Sequence, residues 1–174
     1  DDDELLYVVH TKGESESIIA SHDGQGVRFS EQNVRAMGRP ARGVRGMTLR
    51  EGDFIKGTVV VEEGKKLLTV TEKGYGKRTP VEEYRITNRG GVGIKNYAVT
   101  EKTGPIVAVH TLDPLAKEVI MMSTKGQAIR VAVKEIPTLG RATQGVRIMK
   151  MSEGDTVASI GIVLPEEEPE DPTT

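Results

Sequence analysis

Basic residues recur at matching positions in three stretches of the chain, and phosphate binding is the chemistry they could do. The densest group lies in residues 34–47 (VRAMGRPARGVRGM), where four arginines alternate with glycines. Arginine offers paired N–H donors to phosphate oxygens, and glycine lets a phosphate come close to the backbone. The candidate residues are Arg28, Arg35, Arg39, Arg42, Arg45, Lys77, Arg78, Arg85, Arg89, Lys95, Arg130, Lys134, Arg141 and Arg147.

The chain lacks the motifs of common catalytic sites. It has no GxxxxGK[ST] phosphate loop, no HExxH zinc motif and no recognisable pairing of a nucleophile with a base. Carboxylates occur mostly in turns such as residues 51–53 and 153–155, where they would accept backbone amide hydrogen bonds. We therefore expect no catalytic residue, metal or cofactor in this segment.

Charge is distributed unevenly along the chain. Nine of the 26 acidic residues lie in residues 1–4 and 166–171, so residues 5–165 hold 17 acids against all 24 lysines and arginines, a net charge of +7. A basic body favours a polyanionic partner. Residues 1–4 are predicted to be an acidic end and residues 165–174 a disordered acidic tail, either regulatory or merely solubilising.

The location of the protein follows from what the sequence lacks. No apolar run approaches the roughly 20 residues that cross a bilayer, and no targeting segment is recognisable at the start. The absence of cysteine is typical of a reducing compartment. We expect a cytoplasmic protein with no membrane partner.

A threefold repeat organises the chain. Glycines at positions 24, 74 and 126 set its period, and the same residue types follow each of them at fixed distances. Arginine recurs fifteen positions on, as Arg39, Arg89 and Arg141, and a glycine followed by a branched residue recurs nineteen positions on. Short apolar stretches without a sustained 3.6-residue period indicate an all-β chain.

A period of about 50 residues with about four short strands is typical of a propeller-type blade. The sequence predicts three blades, at approximately 5–62, 63–111 and 112–164, with a leading strand near residues 5–10. Residues 6–11 match residues 106–111, the last strand of the second of these blades. A preceding blade is therefore expected, and the chain resembles part of a larger domain of about six blades.

Basic columns repeated on successive blades would form a curved positive stripe along a rim. Such a stripe binds duplex DNA by releasing the counterions of its phosphates. The aromatic content of 3% argues against the stacking platforms that bind single strands, and favours backbone recognition of a bent duplex. The alternative is that the arginines only solvate the rim of a sheet and the glycines only form turns.

Three motifs resemble one family in particular. They are MGRPARGVRGM (residues 37–47) with EGD (residues 51–53), KGYGKRT (residues 73–79) with Glu83 and Tyr84, and GRATQGV (residues 140–146). Together with the acidic end, they resemble the C-terminal domain of the DNA gyrase A subunit over about residues 5–164.

This resemblance implies a β-pinwheel, a propeller-like ring whose blades exchange strands with their neighbours. It also implies that duplex DNA wraps around the basic rim while the holoenzyme introduces negative supercoils. The implied partners are the B subunit of gyrase and the rest of its A subunit, in a heterotetramer that uses ATP and Mg²⁺. The strand-cleaving tyrosine is not expected here, so Tyr7, Tyr75, Tyr84 and Tyr97 are interpreted as packing or rim residues.

The chain departs from the family pattern at one motif. The diagnostic box of gyrase, Gln-Arg-Arg-Gly-Gly-Lys-Gly, is absent, and residues 88–93 (NRGGVG) are the nearest match, with Val92 in place of the lysine. In the family the box lies on the first blade, whereas this chain resembles the last three. The alternatives are therefore the corresponding domain of the topoisomerase IV A subunit, or a non-catalytic propeller-type scaffold for protein interactions.

Overall fold

The computed structural model describes residues 4–165, which form eleven β-strands, three 3-10 turns and no α-helix. The all-β prediction is confirmed. The strands are β1 (Glu16–Ser21), β2 (Gln25–Ser30), β3 (Ile55–Val61), β4 (Lys66–Thr71), β5 (Tyr75–Pro80), β6 (Ile94–Lys95), β7 (Ile106–Leu112), β8 (Glu118–Ser123), β9 (Ala128–Ala132), β10 (Val146–Arg147) and β11 (Val157–Val163). The 3-10 turns are Glu31–Asn33, Val81–Glu83 and Val133–Glu135.

Three antiparallel sheets correspond to the three repeats. Their strand orders are β3-β1-β2-β6, β10-β5-β4-β7 and β11-β8-β9, here called blades one, two and three. Each blade is built on a tight hairpin, β1–β2, β4–β5 or β8–β9. The last strand of each repeat, β3, β7 or β11, pairs with the first strand of that hairpin.

Neighbouring blades exchange strands, as the resemblance implies. Strand β6 belongs to the second repeat but pairs with β2 of blade one, with Gln25 opposite Lys95. Strand β10 of the third repeat pairs in the same way with β5 of blade two. In blade one β6 is the edge strand opposite β3, and in blade two β10 is the edge strand opposite β7. The exchanged strands are therefore the outermost strands of their sheets.

The cores lie between consecutive blades. One cluster joins Ile18 and Val59 of blade one to Leu67 of blade two, and the other joins Leu68 of blade two to Met121 of blade three. Successive side chains of a strand point to opposite faces. Strand β4 is therefore apolar on both faces, because it is covered on both sides.

Two details of the predicted strand pattern are wrong. Residues 5–10 form no strand, and Leu5 and Val8 are 84% and 81% exposed, because no other strand of the described chain lies beside them to complete a hydrogen-bonded ladder. Blade three has three strands rather than four, because the fourth strand of blades one and two comes from the following repeat.

Other expectations concern the chain ends and membranes. Ser30 caps the first 3-10 turn, since its Oγ accepts a hydrogen bond from the Gln32 amide. Within residues 4–165, no helix has the length and apolarity to cross a membrane. Residues 1–3 and 166–174 lie outside the described part of the chain, and so do the predictions for most of the acidic end and for the tail.

Candidate nucleic-acid interface

Each exchanged strand is reached by a segment that leaves its own blade and crosses to the preceding one. These crossing segments are residues 84–97 and 136–149. The Thr87 amide donates to Arg28 O and the Leu139 amide donates to Arg78 O, both at 2.8 Å. The basic residues on these segments are therefore placed by two blades at once.

A glycine permits the close approach at each crossing. Gly93 has a φ of +86°, and a Cβ there would lie 2.5 Å from the Gly26 carbonyl oxygen of the preceding blade. Gly145 has a φ of +69° and would approach the Gly76 carbonyl oxygen still more closely. Only glycine combines this backbone conformation with this lack of space. Gly93 and Gly145 thus serve blade-to-blade packing.

One basic column lies on the outermost strands. Lys95 is in β6 and Arg147 is in β10, and Arg45 is their equivalent in the first repeat. All three are exposed, as are five other sequence-predicted residues besides Arg130, which is exposed but pairs with Glu118. We call the whole set the outer basic rim: Arg35, Arg39, Arg42, Arg45, Arg85, Lys95, Lys134 and Arg147. Within residues 4–165, none of them forms an ion pair with an acidic side chain.

The most regular arginine column joins consecutive repeats. Arg89 donates through an NH1 hydrogen to the Arg45 carbonyl at 3.1 Å, and Arg141 makes the equivalent bond to the Lys95 carbonyl at 2.9 Å. Arg89 Nε also donates to the Asn33 carbonyl at 2.9 Å. Both guanidinium groups therefore position the rim residues of the preceding repeat.

A second arginine column braces the 3-10 turns. Arg28 donates to the carbonyls of Val81 and Tyr84 at 2.7 and 3.1 Å, and its side chain, 14% exposed, pairs with Glu16. Arg78 donates through Nε to the Ile136 carbonyl at 2.6 Å.

Arg130 is the third member of this column. The 3-10 turns of the second and third repeats and the residues that follow them supply the carbonyls that Arg28 and Arg78 bond, whereas the described chain places none beside Arg130. Its guanidinium instead pairs with Glu118 of the same blade, with Nε 3.0 Å from Oε2. All three guanidinium groups of the column are thus held by protein groups.

Lys77 corrects one predicted site residue. Its side chain is 0% exposed, so it cannot lie on a surface that contacts DNA. The Nζ atom donates to the carbonyls of Gly140, Arg141 and Thr143 at 2.8, 2.6 and 3.1 Å. It also lies 4.9 Å from the centroid of the Tyr97 ring. Lys77 therefore fastens the third repeat's crossing segment to blade two.

The electrostatics of Lys77 reflect its burial. Removal from water lowers the pKa of this lysine to about 7, the nearby Glu83 carboxylate raises it and the Arg141 guanidinium lowers it. The surrounding carbonyl oxygens favour the ammonium form. This position is Val27 in blade one and Ile129 in blade three, so the buried ammonium is specific to one junction.

Carboxylates in the turns have the structural role expected from the sequence. Asp53 Oδ1 accepts the amides of Asp23 and Phe54 at 3.0 and 2.9 Å, and Asp155 Oδ1 accepts the amides of Lys125 and Thr156. Hydrogen bonds lower the pKa of Asp155. His22, Asp23 and Asp53 offer potential ligand atoms within 4.8 Å of one another, but the bonds to Asp53 and the His22–Asp23 hydrogen bond of 2.7 Å explain this grouping.

The tyrosines mostly pack, as the sequence interpretation has it. Tyr84 and Tyr97 are buried, and their hydroxyl groups donate to Asn96 and to the Gln144 carbonyl. Tyr75 is buried at the start of β5, while Tyr7 is exposed. The hydrogen bond of Tyr97 connects the crossing segment of the second repeat to that of the third.

The repeat-based reasoning missed three lysines. Lys73, Lys102 and Lys150 surround Tyr75 together with Arg147 and line a cleft of about 420 Å³. Lys150 does not recur in the other repeats, since Thr48 and Ala98 occupy its position, whereas Lys73 corresponds to Asp23 in the first repeat and to Lys125 in the third. A search for basic residues that break the repeat would have found Lys102 and Lys150.

Comparison with known proteins decides the family. The family described as DNA gyrase C-terminal domain, beta-propeller, matches residues 18–62, 65–113 and 117–163. The chain belongs to this family. Its three matched segments correspond to the three repeats, each beginning and ending within a few residues of the first hairpin strand and the last strand of that repeat.

Similar proteins include the DNA gyrase A subunits of Staphylococcus epidermidis, 43% identical over 170 residues, and of Staphylococcus aureus, 40% identical over 172 residues. The chain spans 19% of the length of these relatives, which cover 97% and 98% of it.

Solved structures show the same architecture. The C-terminal domain of DNA gyrase A is 27% identical with a TM-score of 0.79, over 87% of this chain and 51% of that one. The C-terminal domain of DNA topoisomerase IV, 23% identical, has a TM-score of 0.86 over 94% of this chain and 51% of that one. The resemblance to a gyrase domain and the propeller-type fold are thus confirmed, and the chain covers about half of the larger domain.

Proposed function

We propose that this gyrase C-terminal domain binds duplex DNA along its outer basic rim and bends or wraps the duplex there. The observation that carries the proposal is the column Arg45, Lys95 and Arg147, which projects from equivalent positions of successive repeats, two of them in the outermost strands. These side chains are exposed and have no acidic partner in residues 4–165. Their charge is therefore available to phosphates.

The fixed backbone around the rim supports this proposal. Arg89 and Arg141 bond the carbonyls of Arg45 and Lys95, so two of the three column members stand on a braced backbone. Charges held at regular intervals neutralise successive phosphates of a curved duplex without reading its bases. Binding should therefore depend on salt and on DNA deformability more than on sequence.

In the whole enzyme the domain would act with other parts. We propose that the B subunit of gyrase and the rest of its A subunit complete a heterotetramer that introduces negative supercoils, with ATP and Mg²⁺ bound outside this segment. The domain would have no catalytic residue of its own and would act in the cytoplasm. Its contribution would be the path of the wrapped DNA.

Salt-dependent binding to a duplex tests the proposal. Fluorescence anisotropy between 50 and 200 mM KCl should give steep salt dependence for the unchanged chain. The triple variant Arg45→Ala, Lys95→Ala and Arg147→Ala should flatten the slope by about three units. A control with three exposed basic residues outside the rim, Lys12→Ala, Arg50→Ala and Lys117→Ala, should retain the slope. Weak binding that ignores salt would contradict the proposal and favour a protein-interaction scaffold.

The second candidate is the corresponding domain of topoisomerase IV, which shares the fold. The 40–43% identity to gyrase A subunits favours gyrase. A topology assay on the full-length protein, reconstituted with its ATP-hydrolysing partner, separates the two. Net negative supercoiling of relaxed plasmid is expected of gyrase, and relaxation or decatenation alone would indicate the topoisomerase IV function.

A further inference from the structure

The junction between blades two and three carries a concentration of positive charge that the repeat does not explain. Lys73, Lys102, Arg147 and Lys150 line one open cleft around Tyr75, called here the Tyr75 cleft. Asp155 is the one acidic residue among those lining it, and its Oδ1 accepts three protein hydrogen bonds, from Thr124, Lys125 and Thr156. Four cations thus face a single, already engaged carboxylate.

Tyr75 organises two of these cations. Its hydroxyl oxygen accepts hydrogen bonds from Arg147 Nε and NH2 at 3.3 and 3.2 Å. Lys102 Nζ lies 5.4 Å from the ring centroid, and Arg147 Cζ lies 5.6 Å from it. Two cations therefore lie within 5.6 Å of the centroid of one ring, and an anion bound beside them would offset their mutual repulsion.

The remaining partners of the cleft leave the charge uncompensated. Lys73 donates to a backbone carbonyl, that of Glu101, and Lys150 is exposed. Within residues 4–165, none of the four cations forms an ion pair with a carboxylate. No protein group described there accepts the Tyr75 hydroxyl hydrogen, so this hydrogen is available to an acceptor oxygen of a ligand.

We infer that the Tyr75 cleft binds a phosphate group of the DNA backbone and anchors the duplex at this one point of the rim. The inference rests on the proposed function and adds a local contact to it. Arg147 belongs both to the rim and to the cleft, so the anchored phosphate lies on the same path as the rim contacts. Blade one has Asp23, Gln25 and Ala98 where the cleft has Lys73, Tyr75 and Lys150, so the anchor is not repeated there.

The test is duplex binding by the 174-residue chain with two lysines of the cleft removed. Lys102→Ala with Lys150→Ala should reduce the salt slope by about two units and weaken binding at least tenfold at 100 mM KCl. The matched control, Lys12→Ala with Lys117→Ala, removes the same charge elsewhere and should change affinity less than twofold. A double variant that retains the full salt slope overturns the inference while leaving the proposed function intact, whereas a wild-type chain that does not bind duplex overturns both.

Tyr75→Phe provides a second measurement at constant charge. It removes the hydroxyl that orients Arg147, so affinity should fall about threefold while the salt slope stays unchanged. Unaltered affinity would count against the positioning role of Tyr75. Sodium pyrophosphate distinguishes DNA phosphate from free polyphosphate as the ligand. The inference would be overturned if the wild type bound pyrophosphate tightly and the Lys102→Ala, Lys150→Ala variant did not, while both proteins bound duplex DNA equally well. That result would assign the cleft to a free polyphosphate.

Discussion

The two junctions between blades share a backbone arrangement and differ in their side chains. Gly26 pairs with Ile94 at the first junction, and Gly76 pairs with Val146 in the same register at the second. At the equivalent position next to this pairing, blade one has Val27, in an apolar cluster with Phe29 and Met47, and blade two has the buried ammonium of Lys77.

The consequence is visible beside the exchanged strands. At the first junction a cleft of about 260 Å³ lies between β2 and the crossing segment, lined by Gly26 and residues 91–94 among others. At the second junction Lys77 reaches the carbonyls of residues 140–143. Backbone pairing thus joins the blades in the same way at both junctions. The side chains determine how the two junctions differ in local stability and surface charge.

The largest expected effect comes from removing the buried ammonium. Lys77→Ala should lower the free energy of unfolding by about 3 kcal/mol, because the carbonyls of Gly140, Arg141 and Thr143 lose their donor. Urea denaturation measures this change. Lys95→Ala, at an exposed position, should stay within about 0.5 kcal/mol of wild type. A loss below about 1 kcal/mol for Lys77→Ala would mean that the second junction does not depend on this contact.

Glycine substitution separates backbone strain from blade contact. Gly145→Ala should cost about 2 kcal/mol, since a Cβ there meets the Gly76 carbonyl in addition to a φ of +69°. Gly43→Ala should cost only about 1 kcal/mol, because its φ is +79° but no atom lies within 4 Å of the added Cβ. Equal thermal destabilisation of the two variants would show that close approach between blades contributes nothing.

The pH dependence of stability should differ between wild type and Lys77→Met. Burial lowers the pKa of Lys77 from 10.5 to about 7, so the unfolded chain binds this proton more tightly than the folded chain. The contribution to stability therefore rises with pH above 7, by about 1 kcal/mol between pH 7 and 8, and falls as the pH drops towards 7. Urea titrations of both proteins at each pH give the difference, and a flat difference would place the folded pKa near its usual value.

Charge can also be transferred from one junction to the other. Asp23→Lys with Ala98→Lys gives the first junction the counterparts of Lys73 and Lys150, so the salt slope for duplex binding should steepen by about two units and affinity should rise about fivefold at 100 mM KCl. The swap Asp23→Asn with Ala98→Ser is the neutral control. An unchanged slope would show that the cations must be organised by Tyr75, because Gln25 occupies its position in blade one.

Sequence reasoning predicted the architecture well because the repeat is a backbone property. Gly93 and Gly145 recur because each crossing requires a positive φ and leaves no space for a Cβ. Only glycine meets both requirements, so the sequence shows where the crossings lie. The sheets and their period followed from this repeat, and the exchange of strands was implied by the family resemblance. The leading strand predicted near residues 5–10 does not form. An apolar run indicates that a segment can pair as a strand, but it does not show that a neighbouring strand is present.

The site was only partly predictable, for a related reason. Repetition selects residues that every blade needs, so Arg28, Arg89 and Arg141 were grouped with the rim although their guanidinium groups bond backbone carbonyls. Lys77 was grouped there as well, although it is buried. The non-repeating Lys102 and Lys150 were passed over. Whether a basic residue faces solvent depends on how the neighbouring repeat packs against it. An alignment of the three repeats does not show that packing.

The exchange of strands also sets an order for folding during synthesis. Gln25 pairs with Lys95 and Tyr75 with Arg147, partners about 70 residues apart, so each hairpin waits for most of the next repeat before its outer edge is covered. A ribosome releasing the chain from its N-terminal side would complete the blades one after another, each closed by its successor. Translation pauses within residues 62–93 would therefore prolong the exposure of the β2 edge, the interval in which unwanted strand pairing can occur.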